Sequence, residues 1–447
     1  MDYNDDMDSS PDKRSYHLCG VGGIGMSAVA QVLAATGHRV SGSDRAYDTA
    51  SGVPVFRQLK GAGVRLCCQD GSGVTDQTDI VVVSTAIEDD NPDLVAAQRF
   101  GVSVRHRAEI LAELAGQGRC LAVTGTSGKT TVTALAGWIL TELGADPTVV
   151  NGGSVIDWMS ERAVGNVRLG QSDLWVVEAD ESDRSLLRFH PEWAIITNVS
   201  KDHFELDELE SMFKTFTDQT ATAPVTDADL DAALGHSAIT CSAGGIEFTY
   251  ADTRFSLALI GEHNVRNALQ AVLMTERMGY TPGDIAAALK SFGGVHRRLE
   301  NVGQVRSVSV FDDYAHNPAK IAAAWKAVRV FAKRVVGIWQ PHGYGPLAHM
   351  YDELLDEFEG LSRARDRVFV RPVFYAGGTA DRTVSSGPFV ADLCRRGVEA
   401  EVAENDDAAM RRIVHGLEPG DVVLSMGARD PMLPDYARGL LEMLSLA

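Results

Sequence analysis

The stretch Gly125-Thr126-Ser127-Gly128-Lys129-Thr130-Thr131 constrains this chain more than any other, because such a loop fixes what comes before it and after it. The apolar run Cys120–Thr124 predicts a strand leading in, and a helical pattern leads out to about Leu140. In a strand–loop–helix turn of this kind successive N–H groups wrap phosphate oxygens, the lysine neutralises β/γ charge and the first threonine hydroxyl reaches Mg2+. The spelling is shorter than G-x-x-x-x-G-K-[ST], but the parts are the same. A nucleoside triphosphate is the expected tenant.

The rest of the chain alternates in the way such a loop requires. Strands are expected at Tyr16–Cys19, Arg39–Ser43, Val64–Cys68 and Ile80–Ser84, with helices at about Met26–Ala35 and Pro92–Phe100. Further strands follow at Leu174–Glu178 and Ala194–Asn198, then at Val308–Asp312, Val335–Trp339, Val368–Val373 and Asp421–Met426; helices are expected over Asn317–Val330 and Met350–Phe358. This alternation predicts parallel sheets covered on both faces. A chain of 447 residues is too long for one ordinary domain. Breaks at Gly116-Gln117-Gly118 and Phe292-Gly293-Gly294-Val295 divide it into a solvated tail, 1–13, and three consecutive α/β domains, 14–118, 119–294 and 295–447. The first and third read as Rossmann-like and the middle one as a P-loop ATPase.

Charge and composition narrow the partners. A net charge of −20 repels nucleic acid and anionic membranes, so neither is expected. Six cysteines without a C-x-x-C pair indicate neither zinc nor a disulfide framework. No apolar window of about 18 residues exists, and the acidic opening Met1-Asp2-Tyr3-Asn4-Asp5-Asp6 has no signal-peptide character, so a cytoplasmic protein is expected.

Three further segments lie at strand ends. Gly20-Val21-Gly22-Gly23-Ile24-Gly25 fits G-x-G-x-x-G between a strand and a helix, with Asp44 closing the next strand. Backbone approach of this kind suits a diphosphate, whether of NAD or of a nucleotide sugar. Glu178-Ala179-Asp180-Glu181-Ser182-Asp183 sets carboxylates beyond Leu174–Val177, suited to Mg2+ beside a phosphate loop, and Asn198-Val199-Ser200-Lys201-Asp202-His203 follows the next strand. His203 is a candidate second cation ligand, or a group orienting an amine.

Taken together with Arg107-Ala108-Glu109, Gly261-Glu262-His263-Asn264-Val265-Arg266-Asn267-Ala268, Arg297-Arg298-Leu299-Glu300 and Asp312-Asp313-Tyr314-Ala315-His316-Asn317-Pro318, these segments resemble the Mur ligase family over nearly the whole chain. The resemblance implies an ATP- and Mg2+-dependent ligase that adds an amino acid, L-alanine foremost, to UDP-N-acetylmuramate in peptidoglycan precursor synthesis. UDP-sugar contacts would come from Gly20, Gly22, Gly23, Gly25, Met26, Ser43, Asp44, Ser84 and Thr85. ATP would meet Gly125 to Thr131, Asn264, Asn267, Arg298 and Asp313, while Thr130, Glu178 and His203 would hold metal. Lys129, His203, Arg298, Tyr314 and His316 would be catalytic, with the third domain closing on the amino acid. A monomer or homodimer is expected.

Three positions depart from the family pattern. Ser127 stands where this branch has His, Asn317 replaces a usual His, and Gln340-Pro341-His342-Gly343-Tyr344-Gly345-Pro346 lacks the arginines of Q-P-H-R-Y-x-R. The nucleophile therefore stays open between L-alanine, another small amino acid and a peptide, as in a recycling ligase. Two other classes compete: a dehydrogenase with NAD in the first glycine loop, and a nucleotide-binding homologue that has lost catalysis.

Overall fold

The computed structural model describes residues 13–49, 53–200, 204–235, 238–375, 382, 384–404 and 407–446. They form two compact units: one from the chain up to Ala232 with Gln270–Thr281, the other from Ala233–Leu269 with Pro282 onward.

The first unit contains two sheets. Strands Arg65–Cys67, Arg39–Ser43, Ser15–Cys19, Ile80–Val83 and Ser103–His106 lie in that spatial order, all parallel. The order reverses between Ser15–Cys19 and Ile80–Val83, so the loops after these two strands diverge and leave a crevice, where open α/β sheets bind ligands. The second sheet runs Trp193–Ile196, Arg119–Thr124, Leu174–Glu178, Thr148–Val150 and Val167–Arg168, with only the last pair antiparallel. Local chemistry sets the element ends. The helix Pro92–Phe100 starts where the Asn91 side chain accepts from Asp93 N, has proline in its first turn and stops at Gly101 with φ +67°.

In the second unit a three-stranded antiparallel sheet, Thr240–Ser242, Gly245–Tyr250 and Thr253–Leu257, accompanies a six-stranded one. The larger sheet is ordered Glu300–Val305, Val308–Asp313, Asp421–Gly427, Arg334–Gln340, Arg367–Val370 and Ala400–Val402; only its first pair is antiparallel. Alternate residues feed opposite cores. Val335 and Trp339 pack with Trp325 and Phe358, whereas Val336 and Ile338 pack with Phe369 and Leu440. Gly337 lies under Trp325, whose Cζ3 would stand 2.3 Å from any Cβ there. The expected α/β architecture with parallel sheets is what the molecule has, although the small antiparallel sheet and the edge strand Glu300–Val305 were not anticipated.

All six cysteines are free thiols, and no helix among the described residues is long and apolar enough to cross a membrane.

Candidate active site

Arg119–Thr124 delivers the chain into the phosphate loop, and Lys129–Glu142, buried on nearly every side, carries it away. Gly125 has φ +125°, and a Cβ there would fall 2.1 Å from Thr197 Oγ1, so only glycine fits. The loop is pinned to the neighbouring strand end. Asn198 Oδ1 accepts from Thr126 Oγ1 at 2.7 Å and from Ser127 N at 3.0 Å, while Thr197 Oγ1 donates to Ser127 O at 2.6 Å. The Ser127 side chain itself faces solvent.

Carboxylates from the end of Leu174–Glu178 surround Lys129. Its ammonium donates to Gly125 O at 2.8 Å and to Glu181, with Asp180 at 3.5 Å. Burial works against this charge, but Glu181, Asp180 and Glu178 outweigh it and hold the Lys129 pKa above its ordinary value. One residue further on, Thr130 Oγ1 donates to Glu178 Oε1 at 3.2 Å, and Glu178 Oε2 accepts from Gly152 N at 2.8 Å. A hydroxyl and a carboxylate side by side at a phosphate loop form a hard oxygen donor set that suits Mg2+. His203 lies outside the described residues.

At the first crevice, Gly20 adopts φ +71°, and Gly22 N donates to Asp44 Oδ2 at 2.9 Å. Asp44 also accepts from Ala46 N at 2.8 Å. Its carboxylate therefore fixes the glycine loop from the next strand end. Ile87, in the loop after Ile80–Val83, stands 3.2 Å from the Cβ position of Gly20, which brings half-buried Ser84 and exposed Thr85 to the same crevice mouth. Two other expected contacts face inward. Met26 belongs to the core, and Ser43 is fully buried with its hydroxyl on Asp93. His17, Cys19 and Asp93 have donor atoms within 4.8 Å of one another, but Asp93 also accepts from Gly71 N at 3.1 Å and His17 Nδ1 meets Ser41 Oγ at 2.9 Å. They form an internal polar network. Arg107 bridges two of these segments. Its Nη1 would stand 3.0 Å from a Cβ on Gly25, and its Nη2 donates to Asp183 Oδ2 at 3.0 Å, linking the glycine loop to the acidic segment.

The second unit holds the remaining candidates. Asn264 Nδ2 donates to Ile260 O at 2.8 Å and its Oδ1 accepts from Asn267 Nδ2 at 2.9 Å. Asp313 uses both oxygens on the backbone, accepting from Leu299 N and Ala315 N at 2.7 Å each. Tyr314 is flanked by the guanidinium groups of Arg297 and Arg298, at 5.2 and 5.6 Å from its ring, and meets His316 edge-on at 5.6 Å. Asn317 caps the helix Pro318–Arg329 by accepting from Lys320 N at 2.9 Å.

Models of known families match three successive segments: "Mur ligase family, catalytic domain" over residues 15–119, "Mur ligase middle domain" over 123–220 and "Mur ligase, glutamate ligase domain" over 297–429. The chain belongs to the Mur ligase family. Among similar relatives, the UDP-N-acetylmuramate--L-alanine ligase of Gloeobacter violaceus is 37% identical, aligned over 92% of each chain. That of Rubrobacter xylanophilus is 36% identical over 93% of this chain and 97% of its own. The crystal structure of the UDP-N-acetylmuramate-alanine ligase of Thermotoga maritima matches with a TM-score of 0.77 at 27% identity, covering 96% of this chain and 98% of that one. A murein peptide ligase from Psychrobacter arcticus, at 21% identity and a TM-score of 0.64 over 97% and 99%, shares the fold. As a Mur ligase, this protein is an ATP-dependent enzyme, and the two phosphate-suited loops of its first unit lie in the two segments that the first two family models cover.

Proposed function

We propose that this ligase joins L-alanine to the carboxylate of UDP-N-acetylmuramate with ATP, in peptidoglycan precursor synthesis. What supports the reading most is full-length likeness to relatives bearing that activity in their names, in a chain whose phosphate loop keeps Lys129, Thr130 and Glu178 in register. The peptide-recycling alternative rests on a neighbour of lower identity, and no observation favours it.

A carboxylate resists attack by an amine because oxide is a poor leaving group. In the first step the sugar-acid oxygen attacks the γ-phosphorus of ATP, ADP departs and an acyl phosphate forms. The amine nitrogen then attacks the acyl carbon, the tetrahedral oxyanion collapses, phosphate leaves and the nitrogen releases its proton. Both steps gather charge on oxygens. The N–H groups from Gly125 to Thr131 would cradle the phosphates, and Lys129 would exchange its carboxylate partners for β/γ oxygens. Thr130 and Glu178 would hold Mg2+, which supplies charge neutralisation on the nucleotide when bound. Gly20, Gly22, Gly23 and Gly25 would admit the UDP diphosphate, with Ser84 and Thr85 at the crevice mouth. Asn264 and Asn267 would meet adenine, while Arg298, Tyr314 and His316 would serve the reacting groups. A cytoplasmic location fits both nucleotides.

Phosphate release from ATP and UDP-N-acetylmuramate, screened over the twenty amino acids and a stem tripeptide, tests this. L-Alanine alone should respond. A response to the tripeptide instead, or ATP binding without amine-dependent turnover, would overturn it.

A further inference from the structure

In the second unit three adjacent parallel strands, Val308–Asp313, Asp421–Gly427 and Arg334–Gln340, end on one rim, the place where open α/β sheets bind ligands. The loops beyond these ends meet. The rings of His316 and His342 lie 4.8 Å apart, and Arg429 Nη1 lies 3.7 Å from the Cβ position of Gly343. Positive charge gathers here. Burial, then His316, Arg429 and Lys320, bring the His342 pKa down to about 4, so its imidazole is neutral near pH 7.

Arg429 reaches this rim from the loop after Asp421–Gly427. Its side chain is exposed and makes no hydrogen bond or ion pair with another described residue. Its backbone, by contrast, is held on both sides. Arg297 donates to Gly427 O at 2.7 Å and to Ala428 O at 3.0 Å, while Asp430 accepts from Met432 N at 2.8 Å with Arg371 3.9 Å away. A guanidinium on a fixed backbone presents a planar fork that matches a carboxylate in two parallel hydrogen bonds.

We propose that Arg429 anchors the α-carboxylate of the incoming amino acid, beside His342 and Gly343. This rests on the ligase reading and names the part of the protein that recognises the nucleophile. Two features favour a free amino acid over a phosphate. Among the described residues, the ends of these three strands carry no glycine-rich strand–loop–helix turn like Gly125–Thr131, the turn that would cradle phosphate in the first unit. A neutral His342 adds no further positive charge against the substrate's ammonium, where an imidazolium would. Gly343 sets no side chain beside the anchor, where a Cβ would come 3.7 Å from Arg429 Nη1.

Steady-state kinetics on the full chain tests the assignment. R429A should raise KM for L-alanine about 10- to 100-fold, the range for losing a hydrogen bond to a charged group, with KM for ATP and for UDP-N-acetylmuramate within about twofold. R429K should fall between. Ethylamine, which is alanine without its carboxylate, supplies the discriminating readout: wild type should prefer alanine strongly, and R429A should lose most of that preference. An unchanged KM for alanine in R429A, or an undiminished preference over ethylamine, overturns the proposal while leaving the ligase reading intact. A wild-type protein that turns over with no amino acid overturns both.

Discussion

At the scale of single residues, charge placement makes the sharpest demands. Lys129 keeps its proton because three carboxylates outweigh the cost of burying it, and the same ammonium is the one cation that the phosphate loop itself carries. Replacing it by alanine should lower turnover by roughly 10²- to 10³-fold, as for one lost contact to transition-state charge; phosphate release at saturating substrates measures this, and wild-type turnover would remove Lys129 from the mechanism. His342 offers a test by titration. Its pKa is lowered from 6.5 to about 4 by burial first and by neighbouring cations second. Below about pH 6.5 the unfolded chain binds a proton at this position that the folded protein refuses until about pH 4. The stability it contributes is complete above that window and disappears as acidity crosses it. Imidazole resonances of His342 should titrate near pH 4, and H342N should flatten the fall in stability between pH 7 and pH 4.5. A midpoint near 6.5 would contradict the half-buried, cation-flanked setting.

At the scale of elements, the strand–loop–helix joint of the phosphate site is held by contacts from the adjacent strand end. G125A forces a Cβ to within 2.1 Å of Thr197 Oγ1 at φ +125°, which should cost about 1–3 kcal/mol and weaken ATP binding sharply. Gly360, inside the helix Tyr351–Leu361 with open space around it, is the contrasting case: G360A should stabilise by about 1 kcal/mol. Thermal melts with and without ATP separate the two, and equal effects would show that the loop is looser than its hydrogen bonds imply. The reasons these joints were legible in sequence, and others were not, are physical. Helix Pro92–Phe100 announces itself through Asn91, Pro92 and Gly101, and buried parallel strands such as Leu174–Glu178 are continuous apolar runs. The hairpin Gly245–Tyr250 and Thr253–Leu257 turns at Ala251-Asp252 with φ +46° and +56°, a left-handed pair that Asn-Gly would have signalled and Ala-Asp does not. Asn198 and Arg107 were visible as letters within motifs, but their partners stand 71 and 76 positions away along the chain. Ser43, a sugar contact only by the family resemblance, has its hydroxyl turned inward by the pleat onto Asp93.

At the scale of the whole molecule, a protein with net charge −20 must draw in two polyanionic nucleotides, and long-range repulsion opposes each encounter. The local sites would offset that field at short range through the N–H groups of the two glycine loops and through Lys129. The two contributions differ in range. Screening at physiological ionic strength acts beyond about 8 Å, so it weakens repulsion from distant carboxylates more than it weakens hydrogen-bonded contacts within a site. Raising salt from about 10 mM to about 150 mM, at constant free Mg2+, should therefore increase kcat/KM for UDP-N-acetylmuramate and ATP by a few-fold. L-Alanine, a zwitterion without net charge, should show little change under the same conditions. Initial rates at subsaturating levels of each substrate in turn give this comparison directly. Falling kcat/KM for the nucleotides over that range would mean that the sites' own positive fields dominate the approach, and that the acidic surface lies too far from the crevices to matter.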